Sequence, residues 1–123
     1  RYRLVINILN KKHDLANYFN LQYIGRGSIL GNRWSHIPEG TKAEFVVATR
    51  DEAIDSFEKW IRSIINSDKE VTKELIRLYE IYDTIGELNL VCYCAPKRCH
   101  GEVIAKLIEE KWVREHNHLV NGL

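Results

Sequence analysis

Residues 88–94 read Leu88-Asn89-Leu90-Val91-Cys92-Tyr93-Cys94, and this stretch decides the fold class. The run is short, mostly apolar and free of charged side chains, so it predicts a β-strand, which Ala95-Pro96 then ends. The segments on either side of it show the apolar spacing of amphipathic helices. A strand between two helices favours an α/β domain whose strands run mainly parallel.

Two helices are predicted before this strand. The sequence Thr49-Arg50-Asp51-Glu52 has the form of a capping box. Apolar residues at steps of three and four follow it to about residue 66, at Ala53, Ile54, Phe57, Trp60, Ile61, Ile64 and Ile65. The sequence Ser67-Asp68-Lys69-Glu70 repeats the capping pattern and opens a second helix that ends before Gly86. We expect these two helices to form a hairpin.

One more strand and one more helix complete the predicted fold. Residues 4–9 form a nearly continuous apolar run, typical of a strand buried on both faces. A last helix carries its apolar face at Val103, Ile104, Leu107, Ile108 and Val113. The expected fold class is α/β: a small single-domain three-layer fold with a short, mainly parallel central sheet, a helical hairpin and a C-terminal helix. Residues 1–123 are expected to form one domain.

Length, charge and cysteine content narrow the class of protein. A chain of 123 residues suits one hydrophobic core. With 18 basic and 17 acidic residues the net charge is +1, so nucleic-acid binding is not indicated. Every apolar stretch is far below the roughly 20 residues of a membrane helix, and the N-terminus lacks a signal-peptide layout. Three cysteines within eight residues suggest free thiols in a reducing compartment. We therefore expect a cytoplasmic protein without membrane contact.

A glycine-rich loop is the first candidate site. It follows a short extended piece at residues 21–24 and contains three glycines in seven residues. Glycine lets backbone N–H groups approach an anion, and the Arg26 guanidinium suits phosphate or carboxylate. Neither the Walker lysine nor the dinucleotide fingerprint is present. The candidate ligand-binding residues are Gly25, Arg26, Gly27, Ser28 and Asn32. A plain structural turn is the alternative interpretation.

The second candidate site is Cys92-Tyr93-Cys94-Ala95-Pro96-Lys97-Arg98-Cys99-His100-Gly101, for which three interpretations stay open. The cysteines and His100 are suitable zinc ligands, but structural zinc sites generally use two separated ligand pairs. A cysteine beside basic side chains at a helix N-terminus would instead have a lowered pKa and act as a nucleophile. In the third interpretation Cys92 is a core residue and the others shape a turn. We expect all three thiols to be reduced, unbridged and free of zinc.

A basic cluster overlaps this second site. Lys97, Arg98 and His100 gather at the predicted start of the last helix, where free N–H groups and the helix dipole favour an anion. Exposed basic side chains that only solvate the loop are the alternative. Parallel strands end at one edge of a sheet, so this turn and the glycine-rich loop are predicted to lie together. Arg26 and His100 should then reach the same small ligand.

Three blocks occur in order along the chain. They are Tyr23-Ile24-Gly25-Arg26-Gly27-Ser28 with Gly31-Asn32, then Thr49-Arg50-Asp51-Glu52-Ala53-Ile54, then Cys92-Tyr93-Cys94-Ala95-Pro96 with Cys99-His100-Gly101. Together they resemble a family known only as domain of unknown function 4326, over residues 4 to 108. Such proteins are common in phages and occur in bacteria, so the resemblance implies a phage or prophage origin. The resemblance also supports treating one set of residues as a common site, although it implies no reaction. These residues are Arg26, Asn32, Arg50, Cys94, Cys99 and His100.

This sequence differs from the family pattern at two positions. Arg33 stands where the family usually has proline, and Tyr93 where it often has tryptophan. Neither difference removes a polar group from the candidate sites.

Two hypotheses of function follow. In the first, the glycine-rich loop faces Lys97, Arg98 and His100 across a pocket for a phosphorylated, nucleotide-like small molecule, and Arg50 joins them. No cofactor is indicated. If the protein is an enzyme, Cys99 or Cys94 is the candidate nucleophile and His100 the candidate acid/base, for hydrolysis or transfer at a phosphoryl or glycosidic centre. The alternative is a phage interaction module that acts on a host factor and performs no small-molecule chemistry.

Overall fold

Strand β5 (Glu87–Cys92) is the central strand of a three-stranded sheet in this computed structural model, which describes residues 4–13, 15–37, 43–95 and 97–117. It pairs in parallel with β1 (Val5–Asn10) on one side and with β2 (Leu21–Tyr23) on the other. The remaining elements are a 3₁₀ turn (Leu15–Asn17), β3 (Trp34–Ser35), β4 (Phe45–Val46), α1 (Arg50–Ile64), α2 (Lys69–Ile85) and α3 (Gly101–Glu115). The predicted α/β class with a short, mainly parallel sheet is confirmed.

The helix boundaries follow from local capping. The Thr49 side chain accepts a hydrogen bond from the Glu52 N–H at 3.1 Å, as the capping box predicts. At α2 the N-cap is Asp68, one residue later than the predicted Ser67, because the Asp68 carboxylate accepts from both the Glu70 and Val71 N–H groups. Gly86 ends α2 in the left-handed region with φ +88°.

Strand β5 ends at Cys92, two residues before the predicted end at Cys94. The Cys92 carbonyl accepts the last ladder bond, from Lys11 N–H at 2.7 Å. The Cys94 N–H then turns back toward the Cys92 sulfur at 3.4 Å. Cys94, predicted to be the last residue of the strand, therefore belongs to the turn after it. Pro96, which is predicted to help end the strand, lies outside the described residues.

The two faces of β5 have different partners. Leu88, Leu90 and Cys92 alternate along the strand and share one buried core with side chains from all three helices. On the other face Asn89 is buried, accepts from the Asn7 amide at 2.9 Å and donates to the Phe19 carbonyl at 2.8 Å. None of the helices in the described part of the chain has the length and apolar character of a membrane span.

Candidate functional site

A cavity of about 850 Å³ lies where the three parallel strands end. The register pairs Asn10 of β1 with Cys92 of β5 and Tyr23 of β2 with Val91, so the segments that follow all three strands emerge at one edge. The lining comes from these segments, from residues 35–37 and from the first turn of α1. It contains five lysine and arginine side chains, those of Lys11, Arg26, Arg50, Lys97 and Arg98.

Close contacts between backbone atoms fix the conformation of the glycine-rich loop. The Gly25 carbonyl accepts both the Ser28 N–H at 3.1 Å and the Ser28 hydroxyl at 2.6 Å. Gly31 lies against the same carbonyl, and a Cβ atom at Gly31 would come within 2.7 Å of the Gly25 oxygen. Gly27 adopts φ +95°, which side chains rarely permit. The loop is therefore a compact turn whose conformation requires glycine at two positions for different reasons.

The residues of this loop line two different depressions. Gly25, Arg26 and Asn32 line the large cavity. Gly27 and Ser28 do not, and instead line a second depression of about 310 Å³ that shares Arg26 and Asn32 with the first. Two of the five predicted ligand-binding residues of the loop thus lie outside the large cavity.

Both polar atoms of the Asn32 side chain form hydrogen bonds within the protein. The amide nitrogen donates to the Ala53 carbonyl at 3.1 Å, and the amide oxygen accepts from the Trp34 N–H at 2.9 Å. These bonds join the loop to α1 and β3. Asn32 therefore shapes the wall of the cavity.

Arg26 carries an unsatisfied donor at the cavity. Its Nη2 donates to the Trp34 carbonyl at 2.6 Å, which fixes the guanidinium. Its Nε is buried and has no hydrogen-bond partner among the described residues. A buried donor without an acceptor lowers the stability of a folded protein and is uncommon in native structures. The Nε of Arg26 is therefore a candidate contact for a ligand that accepts hydrogen bonds.

His100 lies at the start of α3 and joins it to the end of β2. The residue is 5% exposed, and its Nε2 is 2.6 Å from the Ile24 carbonyl oxygen. A carbonyl oxygen only accepts, so Nε2 carries the proton. The ring packs edge-on against Phe57 at 5.0 Å between centroids. Burial lowers the pKa of His100, and the imidazole is therefore neutral at physiological pH.

The three cysteines form a cluster in the wall of the cavity. Cys92 and Cys99 are each 2% exposed and their sulfurs are 3.4 Å apart. Cys94 is half-buried and interacts with both of these thiols and with the Arg50 guanidinium. Hydrogen bonding from Cys92, then from Cys99, lowers the pKa of Cys94, and Arg50 acts in the same direction. Interaction with the other two cysteines raises the pKa of Cys99. Of the three thiols, Cys94 is therefore the one whose surroundings favour the thiolate form.

These thiols are unbridged, and the part of the chain that the structure describes contains no set of three His, Cys, Asp or Glu side chains arranged to hold a metal ion. The absence of zinc from the protein in solution stays a prediction.

The basic side chains of the second site differ in how far other protein groups already bind them. Arg98 forms ion pairs with Asp51 at 2.8 Å and with Glu102 at 3.3 Å, so much of its charge is already balanced. Arg50, the first residue of α1, makes a weak contact with the Arg98 carbonyl at 3.4 Å. Lys97 is exposed at the cavity rim. Arg50 and Lys97 are thus more available to a ligand than Arg98.

The cavity also contains residues that were not predicted as ligand-binding. Lys11 lies with its Nζ 4.7 Å from the Tyr23 ring centroid and 5.7 Å from that of Tyr93. The two tyrosine rings meet edge to face at 6.2 Å. The position of Lys11 just after the first strand was the available signal in the sequence, because the carboxyl ends of parallel strands form the binding edge.

These features define a small parallel α/β domain with a cationic cavity at the carboxyl ends of its strands. The chain belongs to the family described as Domain of unknown function (DUF4326), whose profile matches residues 8–110. That segment includes every residue that lines the cavity. No curated protein and no solved structure matches the chain.

Proposed function

We propose that this protein binds a phosphorylated, nucleotide-like small molecule in the large cavity. The observation that carries the proposal is the concentration of five lysine and arginine side chains around one cavity in a chain whose net charge is only +1. Such a local excess of positive charge attracts and retains a multiply charged anion. Lys11, Arg26 and Arg50 approach the cavity from three different segments, after β1, after β2 and at the start of α1.

The size and chemistry of the cavity support a nucleotide. Small-molecule sites typically measure about 300–1,000 Å³, and 850 Å³ falls within that range. The unpaired Nε of Arg26 would gain the acceptor that it lacks from a phosphate oxygen. Tyr23 and Tyr93 supply aromatic surface on which a base can stack. Ligands of open α/β sheets bind at this strand edge.

The proposal includes a reducing, cytoplasmic setting and a phage source. Three free cysteines gathered beside the cavity suit a reducing compartment. The phage source rests on the family resemblance.

Titration calorimetry at low salt tests this proposal. The probes are a panel of nucleoside 5′-monophosphates and 5′-diphosphates, inorganic phosphate and an uncharged nucleoside. We expect the diphosphates to bind most tightly, and the affinity to fall as salt is raised because the attraction is electrostatic. Lys11→Gln and Arg50→Gln should each weaken binding about tenfold or more, since hydrogen bonds to charged groups contribute about 1.5–3 kcal/mol.

Matched controls lie on α2, away from the cavity. Lys73→Gln and Arg77→Gln remove the same charges from the exposed face of that helix and should leave the affinity unchanged. Equal losses in the control and cavity variants, or no binding of any phosphorylated probe, would contradict the proposal. The second outcome would favour the interaction module as the function.

A further inference from the structure

Cys94 is the cysteine of the cluster that a ligand can reach. All three cysteines line the cavity, but Cys94, the second residue after β5, is half-buried, whereas Cys92 and Cys99 are almost completely buried. The turn that follows is closed by the Lys97 N–H, which donates to the Cys94 carbonyl at 2.9 Å. The Asn10 amide donates to the Tyr93 and Ala95 carbonyls at 3.2 and 2.7 Å and holds the turn at the end of β1.

The surroundings of Cys94 favour an anionic sulfur. The Cys94 N–H lies 3.4 Å from the Cys92 sulfur, and the Cys92 and Cys99 sulfurs are 3.4 Å apart, so the three residues lie together. Hydrogen bonding from Cys92, from Cys99 and from the Arg50 guanidinium lowers the pKa of Cys94. A thiolate held in this way is a nucleophile at neutral pH.

The charges around Cys94 match a chain of phosphates. Arg50 contacts Cys94 and also lines the cavity, so a phosphate bound by Arg50 would lie close to the sulfur. Lys11, Arg26 and Lys97 supply further positive charge for additional phosphate groups. A nucleoside diphosphate or triphosphate carries three or four negative charges at neutral pH, which suits such a cluster better than a single phosphate does.

We propose that Cys94 is the catalytic nucleophile of this cavity and that its substrate is a nucleoside polyphosphate, whose terminal phosphoryl group passes to the Cys94 sulfur and then to water. This inference rests on the proposed function. In the first step the sulfur–phosphorus bond forms and the bridging phosphorus–oxygen bond breaks. The shortened nucleotide leaves with the electron pair as a phosphate anion, which needs no proton. In the second step water attacks phosphorus, the sulfur departs as thiolate, and the products are inorganic phosphate and free Cys94.

The test uses the full chain, nucleoside diphosphates and triphosphates as substrates, and methylene-bridged analogues as non-hydrolysable ligands. Phosphate release is measured both with Mg²⁺ and with EDTA, and acid-quenched protein is examined by mass spectrometry for a phosphoryl group on Cys94. We expect turnover in the wild type, a trapped phosphocysteine, and a loss of at least about 1,000-fold in Cys94→Ala. Arg77→Gln should retain full turnover.

Binding of the methylene analogue separates this inference from the proposed function. If the analogue binds wild type and Cys94→Ala alike and only the wild type turns over, both proposals hold. If the analogue binds but no phosphate is released, or if Cys94→Ala hydrolyses as fast as the wild type, Cys94 is not the nucleophile while the binding site stands. If the analogue does not bind the folded wild type, the proposed function itself fails.

The reactivity of the thiol gives a second, independent readout. Iodoacetamide should alkylate Cys94 at pH 6, where an ordinary thiol with a pKa near 8.5 reacts slowly. The methylene analogue should protect it, and Arg50→Gln should move the alkylation profile to higher pH. Preferential labelling of Cys99 would overturn the assignment of the nucleophile to Cys94.

Discussion

At the scale of single residues, His100 joins the two candidate segments into one structure. Its imidazole donates to the Ile24 carbonyl, just after β2, and its own backbone opens α3. The sequence-based role of His100 as acid/base catalyst stays a prediction, but its 5% exposure and neutral state suit a structural bond. A buried histidine whose pKa is lowered in the folded protein makes stability sensitive to pH.

The pH dependence of stability should therefore change in His100→Gln. Burial lowers the pKa of His100 in the folded protein, with Cys94 raising it and Arg26 lowering it to smaller extents. The unfolded chain takes up the proton near pH 6.5, so it binds more protons than the folded chain below that pH. The free energy of unfolding should thus fall as the pH drops from about 7 to about 5, and it should fall less in His100→Gln.

Urea unfolding at several pH values measures this difference. At pH 8 the variant should be less stable by about 0.5–3 kcal/mol, because a flexible Gln amide replaces the ring that donates to the Ile24 carbonyl and packs against Phe57. The carboxylates with lowered pKa values, Glu58, Glu110 and Glu115, lose their contribution only near and below their usual pKa of about 4.5. Identical slopes between pH 7 and pH 5 in the wild type and the variant would refute the role assigned to His100.

At the scale of elements, the glycine-rich loop depends on two different properties of glycine. Gly27 needs freedom of φ, whereas nothing lies within 4 Å of the position of its missing Cβ. Gly31 needs space, because its Cβ would lie 2.7 Å from the Gly25 oxygen and 2.9 Å from the Arg26 Cα. Both obstacles at Gly31 are backbone atoms, so the loop itself would have to move.

Gly31→Ala should consequently damage the site more than Gly27→Ala. For Gly27→Ala we expect about 1 kcal/mol of destabilisation from backbone strain and nucleotide affinity within about twofold of wild type. For Gly31→Ala we expect a larger loss of stability, about 2 kcal/mol or more, and weaker binding because Arg26 moves. Chemical denaturation and calorimetry measure the two effects. Equal behaviour of the two variants would contradict the close packing of the loop.

At the scale of the whole molecule, the helices, the sheet and the site share one core. Phe57 of α1 has no exposed surface and belongs to the same cluster as Leu90 of β5 and Ile104 of α3. The same ring packs against His100, so the core directly supports the wall of the cavity. A single core of this kind predicts one cooperative unfolding transition.

Phe57→Ala should test this coupling between core and site. We expect a loss of about 3–5 kcal/mol in the free energy of unfolding, from lost burial and the cavity left behind. Circular dichroism and tryptophan fluorescence should still report coincident transitions. Ile76→Ala is the control, because Ile76 on α2 is 42% exposed and its removal should change stability by no more than about 0.5 kcal/mol. Separate transitions for the two probes would show that the site and the core fold independently.

Local patterns determined most of the elements. The apolar spacing of α1 and α2, the Thr49 cap and the glycine at position 86 act within a few residues, so the sequence alone predicts these helices. The family resemblance was likewise carried by short blocks and is confirmed over residues 8–110. The end of β5 was wrong by two residues, because the last ladder bond depends on the partner strand.

Tertiary structure alone decided how the site is assembled. Asn10 lies beside Cys92, and Lys11 beside Tyr93, only because of the register between β1 and β5, which joins residues more than 80 positions apart. The same packing balances the charge of Arg98 with Asp51 and brings Arg50 to Cys94. Charge pairing and thiol acidity depend on distances across the fold, which residue types and local spacing do not specify.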